Sequence, residues 1–186
     1  MWAIATEKDV SFFNDKRALV SIYLSDGYDS DETQWILDSW CGFNEDAGHN
    51  WHLLIPCSTD AYVLNEKLDA SHYDVKFANR VIKQHELAKS GLPLLMFENY
   101  DPSSPPQYVS FRGMSREKRR DILKVIAEIV ADEAQNGPAD ANEFRKAILD
   151  RVSILVSRHK LAKAGLQTLA IGTAIIGVVS GLYSLR

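Results

Sequence analysis

Cysteine is scarce in this chain of 186 residues, which contains only Cys41 and Cys57. Without a second pair, these residues cannot form a disulfide framework, and nothing in the sequence requires an oxidising compartment. The sequence also lacks a nucleophile elbow, a phosphate-cradling glycine-rich loop and a His-Glu-x-x-His motif. These absences remove the usual signatures of serine hydrolases, nucleotide-binding proteins and zinc proteases.

The N-terminus has no uncharged apolar run as long as that of a signal peptide, because Glu7, Lys8 and Asp9 interrupt it. We therefore expect that the soluble part is not exported through a cleaved signal.

Charge is unevenly distributed along the chain. Residues 1–134 carry 22 acidic and 14 basic side chains, whereas residues 135–186 carry 3 acidic and 7 basic ones. An acidic domain without interleaved basic and aromatic side chains argues against nucleic acid as a partner. A basic C-terminal segment suits an anionic membrane surface.

The C-terminal segment contains 22 consecutive residues without a charge, from Ala164 to Leu185. As a helix this run covers the hydrocarbon core of about 30 Å, so we predict a single transmembrane helix at 164–185. A buried soluble helix is the alternative, but it would show a polar stripe, and Gln167 is the only strongly polar side chain here. The basic residues that precede the run favour a cytoplasmic N-terminal side; they are Arg158, His159, Lys160 and Lys163. The sequence thus predicts a single-pass, tail-anchored protein with membrane lipid as a partner.

Small residues recur every four positions in this predicted span, at Thr173, Gly177 and Gly181. Such a stripe lets two helices approach closely in lipid, and Gly177 and Gly181 form a GxxxG motif. We therefore predict packing at this face and a homo-oligomer.

Hydrophobic periodicity predicts the order β-α-β-α-β-β-α in a soluble domain at 17–134. The predicted strands are Ala18–Leu24, Trp51–Ile55, Leu94–Phe97 and Tyr108–Phe111, and the predicted helices are Glu32–Phe43, Val75–Leu87 and Ser115–Ala134. Asn136-Gly-Pro138 breaks the last helix. A capping box at Asp140 then starts an amphipathic stalk helix, so that 135–163 links the domain to the anchor.

Two segments of this domain resemble the thioredoxin fold. Lys89-Ser-Gly-Leu-Pro-Leu-Leu-Met-Phe97 is similar to the family's Gly-x-Pro segment before its third strand, and Phe111-Arg-Gly-Met-Ser115 is similar to its last strand and glycine. With the order of elements, the resemblance implies a three-layer α/β domain. It also implies a cis peptide bond at Pro93 and places Gly113 at the family's glycine.

The chain departs from the thioredoxin family at the redox motif. Oxidoreductases of that family carry Cys-x-x-Cys between the first strand and the first helix, where the helix N-terminus lowers the thiol pKa. Here that segment is Asp26-Gly-Tyr-Asp-Ser-Asp-Glu32, which holds no thiol. The resemblance therefore implies a non-catalytic member without a cofactor, and Cys41 and Cys57 are interpreted as small buried hydrophobes.

A basic cluster opens the last helix of the domain, where cations oppose the helix dipole. It consists of Arg112, Arg116, Lys118, Arg119 and Arg120. The cluster is either a solvated face, a contact for anionic head groups, or a site for a small anionic ligand at the helix N–H groups.

Two groups of side chains could in principle hold a metal ion. The acidic group Asp26, Asp29, Asp31 and Glu32 lacks the spacing of an EF-hand, and helix capping explains it. The group Cys41, His49, His52 and Cys57 has unorthodox zinc-ligand spacing across a predicted helix and strand. We predict no metal site.

Three functions follow from these observations. The preferred one is a membrane-tethered, non-redox binding or sensing module with a thioredoxin-like domain, which recognises a protein partner or a small anionic ligand. The second is an oligomerising, membrane-perturbing effector of the bacterial defence or toxin type, whose soluble domain gates the glycine-rich helix. The third is a thiol-dependent oxidoreductase that uses Cys41 or Cys57.

Overall fold

The structure, a computed structural model, describes residues 1–27, 30–58, 69–101 and 103–164, and their side chains except at 40–46 and 156–164. Its strands are β1 (Trp2–Ile4), β2 (Leu19–Leu24), β3 (Trp51–Pro56), β4 (Leu94–Glu98) and β5 (Gln107–Ser110). Its α-helices are α1 (Glu7–Ser11), α2 (Ser30–Ala47), α3 (Val75–Gln84), α4 (Arg116–Asn136) and α5 (Ala141–Ala164). Short 3₁₀ turns occupy Gly48–Asn50, Ala70–His72 and Lys89–Gly91.

The described strands form one sheet in the order β1-β3-β2-β4-β5. Strand β3 runs parallel to β1 and β2, whereas β4 runs antiparallel to β2 and β5. The central strand β2 is buried at all six positions, as expected for a strand covered on both faces. Its one polar side chain, Ser21, accepts a hydrogen bond from the indole of Trp51 at 2.9 Å.

Helices cover both faces of the sheet. On one face, buried side chains of α2, α4 and α5 pack against Leu19, Tyr23 and Trp51. On the other face, Phe77, Val81 and other residues of α3 pack in the cluster that contains Val20, Ile22 and Leu24. The predicted α/β class is therefore confirmed, with three layers in the described part of the chain.

The first strand and helix were not predicted from the sequence. Strand β1 pairs with β3 through only three residues, from Trp2↔Leu54 to Ile4↔Pro56. Helix α1 is a single short turn that Thr6 and Asp9 cap. Both are too short to produce a periodic hydrophobic pattern. Because β1 is part of the sheet, the packed unit begins before residue 17.

Helix α5 also belongs to the packed unit, because Phe144, Ile148 and Val152 lie in the same buried cluster as α4. Arg145 is 1% exposed. Its guanidinium donates to the carbonyls of Phe13, Asn14, Lys16 and Ala18, which flank the start of β2. The core thus extends beyond the predicted boundary at residue 134 and into the segment predicted as a stalk.

Within the described residues, no helix is both long enough and apolar enough to cross a bilayer. The predicted span at 164–185 lies outside the described residues, apart from Ala164 at the end of α5. The anchor and its packing face at Thr173, Gly177 and Gly181 therefore stay predictions.

Candidate functional site at the carboxyl edge of the sheet

The parallel strands β1, β2 and β3 end at one edge of the sheet, here called the carboxyl edge. The segment Ser25-Asp26-Gly27 leaves β2 there, and α2 begins at Ser30 with Asp31 and Glu32 in its first turn. Gly27 has a φ angle of +76°, and a Cβ at this position would collide with a methyl group of Val75. A residue without a side chain is needed for the loop to lie against the start of α3.

Tyr73 supports this loop through hydrogen bonds to Ser25. Its hydroxyl accepts a hydrogen bond from the N–H of Ser25 at 2.7 Å. The same hydroxyl can donate to the Ser25 carbonyl at 3.3 Å or to the Tyr23 carbonyl at 3.4 Å. Burial raises the pKa of Tyr73 well above its ordinary value. The tyrosine therefore stays neutral and acts as a hydrogen-bonding support for the loop rather than as an acid or base.

Pro93 lies next to this loop, because the following residue, Leu94, pairs with Leu24 of β2. The Leu92–Pro93 peptide bond is cis, as the resemblance to the thioredoxin fold implies at this position. The Pro93 carbonyl accepts the N–H of Phe111 at 2.8 Å. The proline segment is thus fixed to the end of β5 beside the candidate site.

The thiol of Cys57 lies near this edge, but its burial and its raised pKa make it unreactive. Cys57 follows β3, forms an isolated bridge with Tyr73 and is 1% exposed. Burial, with a contribution from the charge of Asp74, raises the pKa of Cys57 to about 12. Because the thiolate is the nucleophilic form, the group is both shielded and protonated at neutral pH. The side chain of Cys41 lies outside the described residues.

Glu32 and Arg119 join the acidic and basic clusters of the sequence. The Arg119 guanidinium forms an ion pair with the Glu32 carboxylate, and the side chains are 11% and 6% exposed, respectively. The pair links the first turn of α2 to the first turn of α4. Arg119 therefore fixes the position of α2 at the candidate site and is not presented to solvent.

The fold divides the predicted basic cluster into residues that are bonded within the described part of the domain and residues that are not. Arg112 donates to the Ser90 carbonyl at 2.6 Å and so fastens the turn before Pro93. Arg116 and Arg120 are exposed and Lys118 is half-buried. Within the described part of the chain, the side chains of these three residues make no hydrogen bond or ion pair. They, rather than Arg112 or Arg119, are the members of the cluster that are available to an anionic partner.

The described members of the two groups considered for metal binding do not converge on one site. Among residues 1–27, 30–58, 69–101 and 103–164, no three His, Cys, Asp or Glu side chains are placed to hold an ion. His52 and Cys57 are separated by five residues of extended chain, about 16 Å, which is too far for one tetrahedral site. In the acidic group, Glu32 is engaged by Arg119, and Asp29 lies outside the described residues.

His52 is instead part of an aromatic cluster beside β1. Its Nδ1 accepts the indole N–H of Trp2 at 3.2 Å, and its ring lies 4.9 Å from that of Phe13. Burial is the main cause that lowers the pKa of His52 to about 4, with the N-terminal ammonium, His49 and Lys16 adding to it. The imidazole is therefore neutral at neutral pH, as its role as an acceptor requires.

The sequence did not point to Tyr73 or to the pairing of Glu32 with Arg119. Tyr73 follows the 3₁₀ turn Ala70–His72 and precedes the helix cap Asp74, and an aromatic residue within a polar connection was the available signal. The ion pair joins residues 87 positions apart, which no local pattern reveals.

Comparisons of the chain with protein-family models, with curated proteins and with solved structures found no match. The functional argument therefore rests on the geometry of the site itself.

Proposed function

We propose that this chain is a membrane-tethered, non-redox binding or sensing module with a thioredoxin-like domain on the cytoplasmic side. The observation that carries the proposal is the loop between β2 and α2, where redox members of that family hold their thiols. Here the described part of that loop is Ser25-Asp26-Gly27, supported by a neutral Tyr73 and by the Glu32–Arg119 ion pair. These groups can order a binding surface but supply no thiol.

Three further features support the thioredoxin-like assignment. The order β-α-β-α-β-β-α runs from β2 to α4 around one mixed sheet. The Leu92–Pro93 bond is cis, and Gly113 has a φ angle of +66° after the last strand. All three agree with the positions that the sequence resemblance assigns to the family.

Insulin reduction tests the non-redox part of the proposal. We expect the full chain, with dithiothreitol present, to precipitate insulin no faster than dithiothreitol alone. The matched control is the Cys41→Ser/Cys57→Ser variant, which should give the same rate. A faster rate for the parent chain that disappears in the variant would establish the thiol oxidoreductase instead.

The binding surface in this proposal is the exposed part of the basic cluster, with anionic head groups or a small anionic ligand as its partner. Arg116, Lys118 and Arg120 can each contribute about 1 kcal/mol next to an anionic surface. In nanodiscs that contain phosphatidylserine, the amide signals of residues 116–120 should shift relative to phosphatidylcholine nanodiscs. Arg116→Gln/Arg120→Gln should abolish the difference, whereas Lys76→Gln, on α3 across the sheet, should preserve it.

Membrane placement is tested by topology. A reporter fused after Arg186 should lie across the membrane from one fused before Met1. Two cytoplasmic reporters would remove the anchor from the proposal.

One observation favours the effector as a second candidate. Helix α5 is held in the core by Phe144 and Ile148 and continues as one helix to Ala164, where the predicted anchor begins. A conformational change in the domain that moves α5 would therefore also move the predicted anchor. Gly177→Leu/Gly181→Leu should abolish oligomers and membrane perturbation if the chain is an effector, while a tethered binding module would keep its activity.

A further inference from the structure

A groove of about 470 Å³ lies on the other face of the sheet from α4 and α5, at the C-terminal end of α3. It is lined by Asn79, Ile82, Lys83, Glu86, Leu87 and Lys89. The volume is within the range of small-molecule sites. We call it the α3 groove, and it lies apart from the basic cluster on α4.

The floor of the α3 groove is apolar and its rim is basic. Ile82 and Leu87 are 2% and 8% exposed and belong to the core beneath it. Asn79 and Lys83 are four residues apart on α3 and therefore lie on the same face of the helix, and Ile82 adjoins this face three residues after Asn79. Lys89 faces them from the turn Lys89–Gly91.

The rim cations are not neutralised within the described part of the chain. The amino groups of Lys83 and Lys89 make no hydrogen bond or ion pair there, and Glu86 lies within the lining without bridging to either lysine. The rim therefore carries two cations, one anion and the Asn79 amide. This excess of positive charge suits an anionic group on a ligand.

Both walls of the groove are held in place. At the end of α3, the N–H of Leu87 donates to the Ile82 carbonyl at 2.9 Å and the N–H of Glu86 to the Lys83 carbonyl at 3.2 Å. These bonds occupy helix-end carbonyls that would otherwise repel an anion. The opposite wall is fixed by Ser110 and Arg112, which donate to the Gly91 and Ser90 carbonyls at 2.5 and 2.6 Å.

We propose that the α3 groove binds a small soluble anion with an apolar body, an organic phosphate or carboxylate. The apolar body lies over Ile82 and Leu87, and the anionic group lies between Lys83 and Lys89 with Asn79 as a further donor. The proposal is independent of the function assigned to the carboxyl edge, because none of these residues belongs to that site.

The test uses the full chain, labelled with ¹⁵N, in phosphatidylcholine nanodiscs, with phenyl phosphate as the probe. Backbone amides of Asn79, Lys83 and Leu87 should shift saturably. Phenol and inorganic phosphate each lack one half of the probe, so each should bind about tenfold more weakly or worse. Equal binding of phenol, or no saturable shift with phenyl phosphate, would overturn the proposal.

Matched variants separate the groove from nonspecific charge. Lys83→Gln and Lys89→Gln should each weaken phenyl phosphate binding about tenfold. Lys76→Gln, also on α3 but outside the lining, should leave it unchanged, and Glu86→Gln should strengthen it. The proposal fails if Lys76→Gln weakens binding as much as Lys83→Gln, or if both rim variants bind the probe like the parent chain.

Discussion

The carboxylate of Glu32 in α2 and the guanidinium of Arg119 in α4 face each other in a nearly solvent-free contact between the two helices. Two elements that are distant in sequence are thereby tied together at the candidate site. Removing one partner leaves the other charge buried, whereas removing both does not.

The first prediction concerns this pair. Arg119→Leu should lower the free energy of unfolding by about 3 kcal/mol or more, because Glu32 is then buried without its partner. Glu32→Leu/Arg119→Leu should recover most of that loss. Urea unfolding of the full chain in nanodiscs, followed by tryptophan fluorescence, measures both variants. Equal losses in the single and double variants would show that the pair is not coupled.

The second prediction concerns the extent of the folded unit. A chain that ends at Ala164 should fold, because it keeps the buried part of α5, whereas one that ends at Gly137 should not. Losing Phe144, Ile148, Leu149 and Val152 removes several buried side chains that are each worth about 2–5 kcal/mol, against a typical total stability of about 5–15 kcal/mol. Circular dichroism and amide dispersion in NMR spectra distinguish the two shortened chains. Cooperative folding of the shorter chain would show that α5 is dispensable.

The third prediction concerns pH. The folded protein holds His52 neutral with a pKa of about 4, against an ordinary value of 6.5. Its contribution to stability is therefore fully present above pH 6.5 and is lost as the pH falls from 6.5 towards 4. Urea midpoints between pH 7.5 and 4.5 should fall less steeply for His52→Phe than for the parent chain. Equal slopes for the two chains would contradict a neutral, buried His52.

The fourth prediction concerns Glu86, which follows α3 with a φ angle of +52°. A residue with a Cβ is strained in this left-handed conformation by about 1–2 kcal/mol, and glycine, despite its greater flexibility in the unfolded chain, is the usual residue at this helix end. Glu86→Gly should stabilise the protein by about 0.5–1 kcal/mol. Glu86→Ala removes the same charge but keeps the Cβ, so its midpoint in urea should not rise by this amount.

The fifth prediction concerns Cys57. In a Cys41→Ser background, a thiol reagent should label Cys57 slowly at pH 7.5, because the group is buried and its pKa is about 12. The labelling rate should increase with urea as the protein opens. Fast labelling in the absence of urea, comparable to that of the unfolded chain, would contradict a shielded thiol.

Strands and helices with a continuous apolar signal could be predicted from the sequence. The run Leu19–Leu24 is buried throughout and was located to within one residue. The helix predicted from Ser115 begins one residue later, with Ser115 as its cap through the N–H of Lys118. The stripe formed by Phe144, Ile148 and Val152 was also recognised, although as part of a stalk. A hydrophobic pattern shows that one face of a helix is buried, but it does not show which element packs against that face.

Features that depend on contacts between distant residues were not predictable in the same way. Strand β1 exists because three residues pair with β3, about fifty positions away along the chain. Arg145 interrupts an otherwise apolar face of α5, and its burial depends on four backbone carbonyls, the Asn142 side chain and the Tyr100 ring, which contact its guanidinium. The candidate site shows the same limit, since its Tyr73 and Glu32–Arg119 contacts are all nonlocal.

The position of Arg145 has a mechanical consequence. Its guanidinium, on α5, is bonded to the carbonyls that flank the start of β2, and β2 is the central strand of the sheet. A pulling force on α5 from its C-terminal side would be transmitted in part through these hydrogen bonds to the segment that leads into the central strand. These hydrogen bonds to one side chain would have to break before α5 could leave the segment that leads into β2. A tether at that end of the helix would thus be mechanically connected to the central strand of the sheet.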